Sequence, residues 1–230
     1  MSVLVSLHHT TRYLYDRPVA LGPQVIRLRP APHCRTRVPS YSLTVTPEQQ
    51  FVNWQQDPHG NWIARYVFGE RATELAVTVD LIADISVFDP FDFFVEPYAA
   101  TFPFDYPDEL KRDLAAYREI EPGGAALASF LAAFERTPRG TVEVLVELNR
   151  RIASAIRYVV RMEPGVQRPD ETLEAGSGSC RDSAWLLVQV LRRLGMPARF
   201  VSGYLIQLKP DVAPSDGPAG SARDFADLHA

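Results

Sequence analysis

The stretch SGSCRDSAWLLVQVLRRLGMPARFVSGY, residues 177–204, carries one of the chain's two cysteines at the start of a strongly periodic segment. Ser179 and, three residues later, Asp182 form the pattern of an N-cap with a capping box, so Cys180 takes the first helical position. Apolar residues then recur at helical spacing until a glycine and a proline end the pattern. The stretch therefore predicts a helix over 180–194. We expect its buried stripe to consist of Ala184, Leu187, Val188, Leu191 and Leu194.

The composition is that of an ordinary globular protein, and it argues against several classes of partner. The 230 residues are 46% hydrophobic and 23% charged, with a net charge of −4. Because the sequence has neither a basic patch nor an apolar stretch of membrane length, we expect no nucleic-acid or membrane partner. The pattern of a signal peptide is absent, and two cysteines do not make a disulfide framework, so we expect a cytoplasmic protein.

Motifs for metals and cofactors are also missing from the sequence. No two cysteines or histidines fall at the CxxC or HxxxH spacing of zinc sites, and neither a GxxxxGK nor a GxGxxG loop is present. We therefore expect no metal and no cofactor.

The hydrophobic period changes once along the chain, which predicts two domains of an α+β protein. Residues 73–87 alternate with a period of two, as in a half-buried strand whose inner face carries Leu75, Val77, Val79, Leu81, Ala83 and Ile85. Further strands are expected at 3–15, 23–29, 40–46, 49–56 and 61–68. Residues 1–88 should thus form an antiparallel β-rich domain, followed by a connector over 89–106. From 107 to 230 the pattern is mainly helical, with helices expected at 108–120, 125–137 and 141–160.

The position of Cys180 suits a nucleophile. A helix amino terminus favours the thiolate over the thiol, and the backbone N–H groups of the first turn point outward, where they can stabilise an oxyanion. Many free cysteines only fill space in a core, but the flanking GSGSC sequence predicts an accessible site.

A nucleophilic cysteine also needs a base, and His229 is the histidine in the same half of the chain. Asp227 shares a strand face with His229 and could contact the ring, although a surface role is the simpler reading. The other histidines lie in the β-rich half: His8, His9, His33 and His59.

Residues 172–204 resemble the catalytic core of the transglutaminase-like superfamily of papain-like cysteine enzymes. The glycine-serine approach, the cysteine that opens a helix, the LGMPAR exit and the VSGY strand match in order, and DLHA at 227–230 matches the strand that carries the family's histidine. The segment LHHTTRYLYDRPVALGPQVIRLRP, residues 7–30, is similar to the β-rich N-terminal domain of bacterial members. The resemblance implies a core of helices packed on a small antiparallel sheet.

The resemblance also implies roles for individual residues. Cys180 would be the nucleophile and His229 the general base and then the general acid. Four further residues would line the site or its oxyanion pocket: Tyr158, Ser179, Arg181 and Tyr204. The family's third residue is an aspartate on the next strand, and it has no counterpart before Ala230. We therefore expect the chain to be the amino-terminal part of a longer bacterial protein, with the remainder as its partner, and to be weak or inactive alone.

The expected reaction is acyl transfer through a thioester on Cys180, acting on an amide carbonyl of a peptide or protein. Water as the acceptor makes a peptidase or amidase, which we favour, and an amine makes a transglutaminase. A second hypothesis is an interaction module, in which a degenerate core binds a peptide or protein without catalysis.

Overall fold

The computed structural model describes residues 2–87, 89, 92–210 and 221–230. The chain forms two compact units, residues 1–92 and 93–230, so that residues 93–106 of the expected connector belong to the second unit. Over the described ranges, no helix combines the length and apolar character needed to cross a membrane.

The first unit consists of antiparallel strands in two sheets. The described strands are β1 (Ser2–Ala20), β2 (Gln24–Ile26), β3 (Arg37–Thr46), β4 (Gln50–Gln56), β5 (Trp62–Phe68) and β6 (Arg71–Ser86). One sheet has the order β1-β6-β3 and the other the order β2-β5-β4. This confirms the predicted antiparallel β-rich amino-terminal half.

Alternation along β6 builds much of the core of this unit. Leu75, Val77, Val79, Leu81 and Ala83 are all buried, as the period of two predicts, and Ile85 is half-buried. The side chains of Leu75 and Val77 join a cluster with Val45, Ala64 and Tyr66.

The second unit combines helices with short strand pairs. The helices are α1 (Asp108–Asp113), α2 (Ala125–Ala132), α3 (Thr141–Ala155), α4 (Pro169–Ala175) and α5 (Cys180–Arg193). The strands are β7 (Thr101–Phe102), β8 (Arg139–Gly140), β9 (Arg157–Tyr158), β10 (Ser177–Gly178), β11 (Gly203–Gln207) and β12 (Phe225–His229). Helices α2, α3 and α5 share one apolar core, which includes Leu127, Val144, Leu148, Leu186 and Val190.

Helix α3 is shorter than its sequence pattern predicts. The periodicity extends to residue 160, but the helix ends at Ala155 and the chain becomes extended. The N–H groups of Arg157 and Val159 donate to the carbonyls of Gly176 and Gly178, which forms the parallel pair β9–β10. Pairing with a distant segment therefore overrides the local helical pattern.

The buried face of α5 also differs from the predicted stripe. Leu186 and Val190 are completely buried, whereas Ala184, Leu187 and Leu191 are only half-buried. The predicted stripe is confirmed at Val188 and Leu194, which are buried. The rest of the buried face is shifted toward Leu186 and Val190, and it also contains two completely buried polar residues, Asp182 and Gln189.

Candidate active site

Cys180 is the first residue of α5, as predicted. It is a free cysteine and half-buried. The capping box is present: the backbone N–H of Ser179 donates to Oδ2 of Asp182 at 2.8 Å, and the Ser179 hydroxyl donates to the same oxygen at 2.6 Å. The start of the helix, and with it the sulfur, is therefore held from within the helix itself.

The backbone N–H groups of the first turn of α5 differ in their hydrogen bonding. The carbonyl of Ser179 accepts the N–H groups of Asp182 and Ser183, both at 3.1 Å. Among the described residues, no backbone partner takes the N–H of Cys180 or Arg181. Donors of this kind at a helix amino terminus stabilise developing negative charge.

Behind the cysteine lies an ion pair that sequence patterns do not reveal. The side chain of Asp182 is completely buried, and the Arg161 guanidinium donates to both of its carboxylate oxygens, at 2.9 and 3.0 Å. The backbone N–H of Gln167 adds a further bond at 2.9 Å. Together with the two bonds from Ser179, this carboxylate accepts five hydrogen bonds.

These contacts decide the charge state of Asp182. Burial alone would raise the pKa of its carboxyl group, but the hydrogen bonds from Arg161, Ser179 and Gln167 outweigh burial and hold that pKa well below its usual range. The hydrogen bond from Arg161 to Asp182 also raises the pKa of Arg161. The pair is therefore ionised, and it ties the segment 161–167 to the first turn of α5.

The two neighbours of Cys180 in the sequence have structural contacts. Ser179 is buried and its hydroxyl is engaged with Asp182. The Arg181 guanidinium donates to the carbonyls of Arg161 and Glu163, so it points back toward the segment after β9. The contribution of Arg181 to an oxyanion site would thus come from its backbone N–H.

Tyr158 is brought next to the approach to the cysteine. In the β9–β10 register, Tyr158 pairs with Gly178, two residues before Cys180. Tyr158 is exposed, and the role expected for it at the edge of the site remains a prediction.

His229 lies on the exposed strand β12, which pairs with β11. Its partner across the ladder is Gly203, and among the described residues nothing lies within 4 Å of the place where a Cβ of Gly203 would be. Tyr204 pairs with Leu228 and therefore projects from the opposite face of this ribbon. Burial raises the pKa of Tyr204 to about 12.

Cys180 and His229 belong to the same compact unit, but in the described part of the chain no hydrogen bond joins their side chains. Asp227 shares the face of His229, and its carboxylate accepts the N–H of Leu228 at 2.8 Å. The roles expected for these residues remain predictions.

A groove and the arrangement of possible metal ligands were the remaining features of the described residues that could indicate a site. A groove of about 570 Å³ lies between residues 93–99 and α3, and none of the predicted site residues lines it. No group of three or more His, Cys, Asp and Glu side chains within the described ranges is arranged to hold a metal ion.

Family models match both halves of the chain. Residues 5–84 match the bacterial transglutaminase-like N-terminal region, and residues 127–226 match the transglutaminase-like superfamily. These matches assign residues 127–226 to the transglutaminase-like superfamily and residues 5–84 to the bacterial N-terminal region. Membership supports a cysteine-dependent enzyme core.

Similar proteins are found in mycobacteria. An uncharacterised protein of Mycobacterium tuberculosis is 28% identical over 204 residues, which is 86% of this chain and 64% of that protein, so the match spans less than two thirds of its length. One from Mycobacterium leprae is 26% identical over 199 residues, covering 86% of this chain and 69% of that protein.

A solved structure shares the fold. It is a Cytophaga hutchinsonii protein described as a "putative cysteine protease", with a TM-score of 0.58 and 14% identity. The match covers 99% of this chain and 72% of that one, and it confirms the predicted α+β fold.

Proposed function

We propose that the protein is a cysteine-dependent acyl-transfer enzyme that hydrolyses amide or peptide bonds through a thioester on Cys180. The observation that carries the proposal is the free, half-buried Cys180 at the amino end of α5, next to two N–H groups without backbone partners in the described residues. Family membership of residues 127–226 supports the same conclusion.

The proposed reaction has two stages. His229 takes the proton of the thiol, and the thiolate attacks the amide carbonyl carbon to form a C–S bond, while the N–H groups of Cys180 and Arg181 stabilise the oxyanion. The C–N bond breaks as the His229 imidazolium protonates the leaving amine. Water, deprotonated by the imidazole, then cleaves the thioester and releases a carboxylic acid and the thiol. An amine in place of water would give an amide product and a transglutaminase activity.

The second cysteine makes a test of the nucleophile unusually direct. Cys34 is exposed and Cys180 is only half-buried, so accessibility alone predicts that Cys34 reacts faster with a thiol reagent. At pH 6 a thiol with the ordinary pKa of about 8.5 is roughly 0.3% thiolate. Activation of Cys180 would reverse the order that exposure predicts.

The experiment is alkylation by iodoacetamide at pH 6, with each site followed by mass spectrometry of its peptide. We expect Cys180 to react at least about tenfold faster than Cys34, and a His229→Ala variant to lose this advantage, whereas His59→Ala should keep it. Equal or slower alkylation of Cys180 would reject the enzyme and favour the non-catalytic interaction module.

The acceptor is identified by the mass of the product. Peptide amides are incubated with the protein in the presence and absence of a primary amine, with Cys180→Ala as the control. A carboxylic acid product in both mixtures supports hydrolysis, and an amine adduct would reassign the enzyme as a transferase.

A further inference from the structure

An exposed apolar strip begins at the strand that pairs with the residues preceding Cys180. It consists of Tyr158, Val160 and Met162, which are 60%, 77% and 87% exposed. The residues between them, Val159 and Arg161, are half-buried, and Arg161 bonds to the buried Asp182 carboxylate. The alternation of exposed and half-buried residues places the three apolar side chains on the outer side of this segment. Grouped apolar residues on a surface mark binding sites more often than single ones do.

Strand pairing connects the start of this apolar strip to the residues that lead to the cysteine. Tyr158 pairs with Gly178, and the N–H of Val159 donates to the carbonyl of Gly178 at 3.0 Å. Gly178 is separated from Cys180 by one residue. A molecule lying on the strip would therefore extend toward the sulfur.

One edge of this segment can accept another strand. Among the described residues, β9 pairs with β10 alone. Because N–H and C=O groups of successive residues alternate between the two edges of a strand, those of Tyr158 point away from β10. A peptide in an extended conformation can bind such an edge with its main chain, while its side chains contact the strip.

The segment is also held in place before any peptide arrives. The Arg161 guanidinium donates to the Asp182 carboxylate and, at 2.8 Å, to the carbonyl of Gly165. These bonds hold the segment that carries the strip against α5 and against the turn that follows it. A rigid platform lowers the entropic cost of binding.

We propose that the apolar strip is the substrate platform: an extended peptide lies along residues 158–162, and an apolar side chain of that peptide, close to the scissile amide, packs on Tyr158, Val160 and Met162. This inference rests on the proposed function and adds the substrate class, which is a peptide with an apolar residue near the cleaved bond.

The test measures peptide binding without turnover. The 230-residue chain with Cys180→Ala is titrated with fluorescent peptides that carry either leucine or aspartate at one position, and affinity is read by fluorescence anisotropy. We expect the leucine peptides to bind at least about tenfold more tightly, since burying an apolar side chain is worth that much or more.

Surface variants of the same chain locate the binding. Val160→Glu should weaken leucine-peptide binding by about tenfold or more, and Val87→Glu, at a valine that is 97% exposed in the first unit, should change it less than twofold. Because Val160 is well exposed, the variant should keep the wild-type thermal midpoint.

The outcomes separate this inference from the proposed function. If Cys180 is activated but Val160→Glu binds like Val87→Glu, or if no peptide binds, the strip is not the platform while the enzyme proposal stands. If leucine peptides bind the strip but Cys180 is alkylated no faster than Cys34, the proposed function fails and the substrate role is overturned.

Discussion

Replacing Asp182 with asparagine tests how strongly the buried ion pair holds the site. The change keeps the shape of the side chain, but it removes the charge that accepts two bonds from Arg161, two from Ser179 and one from Gln167. The new amide group also presents N–H atoms to these donors. Removing one partner of a buried ion pair costs about 3–5 kcal/mol, and we expect a loss of about 3 kcal/mol because an amide oxygen can still accept.

The measurement is urea unfolding followed by circular dichroism at 222 nm, since all described helices lie in the second unit. For a urea slope of about 1–3 kcal/mol/M, a loss of about 3 kcal/mol lowers the unfolding midpoint by about 1–3 M. Glu171→Gln is the matched control, because it makes the same carboxylate-to-amide change in the exposed pair with Arg168. The amide oxygen can still accept the backbone N–H of Arg168, so the midpoint should move far less than in Asp182→Asn.

The same variant has a defined dependence on pH. Because the hydrogen bonds hold the pKa of Asp182 below its unfolded value, which is about 3.9, its stabilisation is complete above that pH and is lost as the pH falls below it. The difference between the wild type and Asp182→Asn should therefore shrink below about pH 4. A midpoint shift no larger than that of Glu171→Gln, or a difference independent of pH, would show that the ion pair does not stabilise the second unit.

Other contacts of the second unit lead to three further predictions. Asp170 accepts two N–H bonds at the start of α2, so Asp170→Ala should cost about 1 kcal/mol in the same urea assay. A Cβ at Gly178 would lie 3.0 Å from the Cβ of Asp182, so Gly178→Ala should cost about 1–3 kcal/mol and slow alkylation of Cys180. Tyr204→Phe should remove the phenolate component that titrates near pH 12 in absorbance at 295 nm.

Features that depend on neighbouring residues could be read from the sequence. The period of two in β6 and the capping box of α5 were confirmed, because each is set by contacts over a few residues. The end of α3 at Ala155 could not be read in this way, since it depends on pairing between β9 and β10, which are about twenty residues apart.

Some features around Cys180 were predictable from neighbouring residues, and others were not. Its position at a helix start follows from Ser179 and Asp182, but the burial of Asp182 depends on Arg161, which lies 21 residues earlier. Aspartate and arginine usually lie on the surface, so the sequence pattern does not predict that Asp182 is buried or that Arg161 pairs with it. The side of the β11–β12 ribbon from which Tyr204 projects likewise depended on the pairing register.

Local periodicity and capping were enough to predict a β-rich half followed by a helical half and a cysteine at the amino end of α5. The superfamily was predicted from the resemblance of residues 172–204 to a known core. Contacts between distant segments were needed to show that Asp182, two residues after that cysteine, is paired with Arg161, and that Tyr158 pairs with Gly178, two residues before it. A buried charge needs hydrogen-bond donors around it. Three of the five bonds to Asp182 come from Arg161 and Gln167, which are 21 and 15 residues away, so no local pattern predicts them.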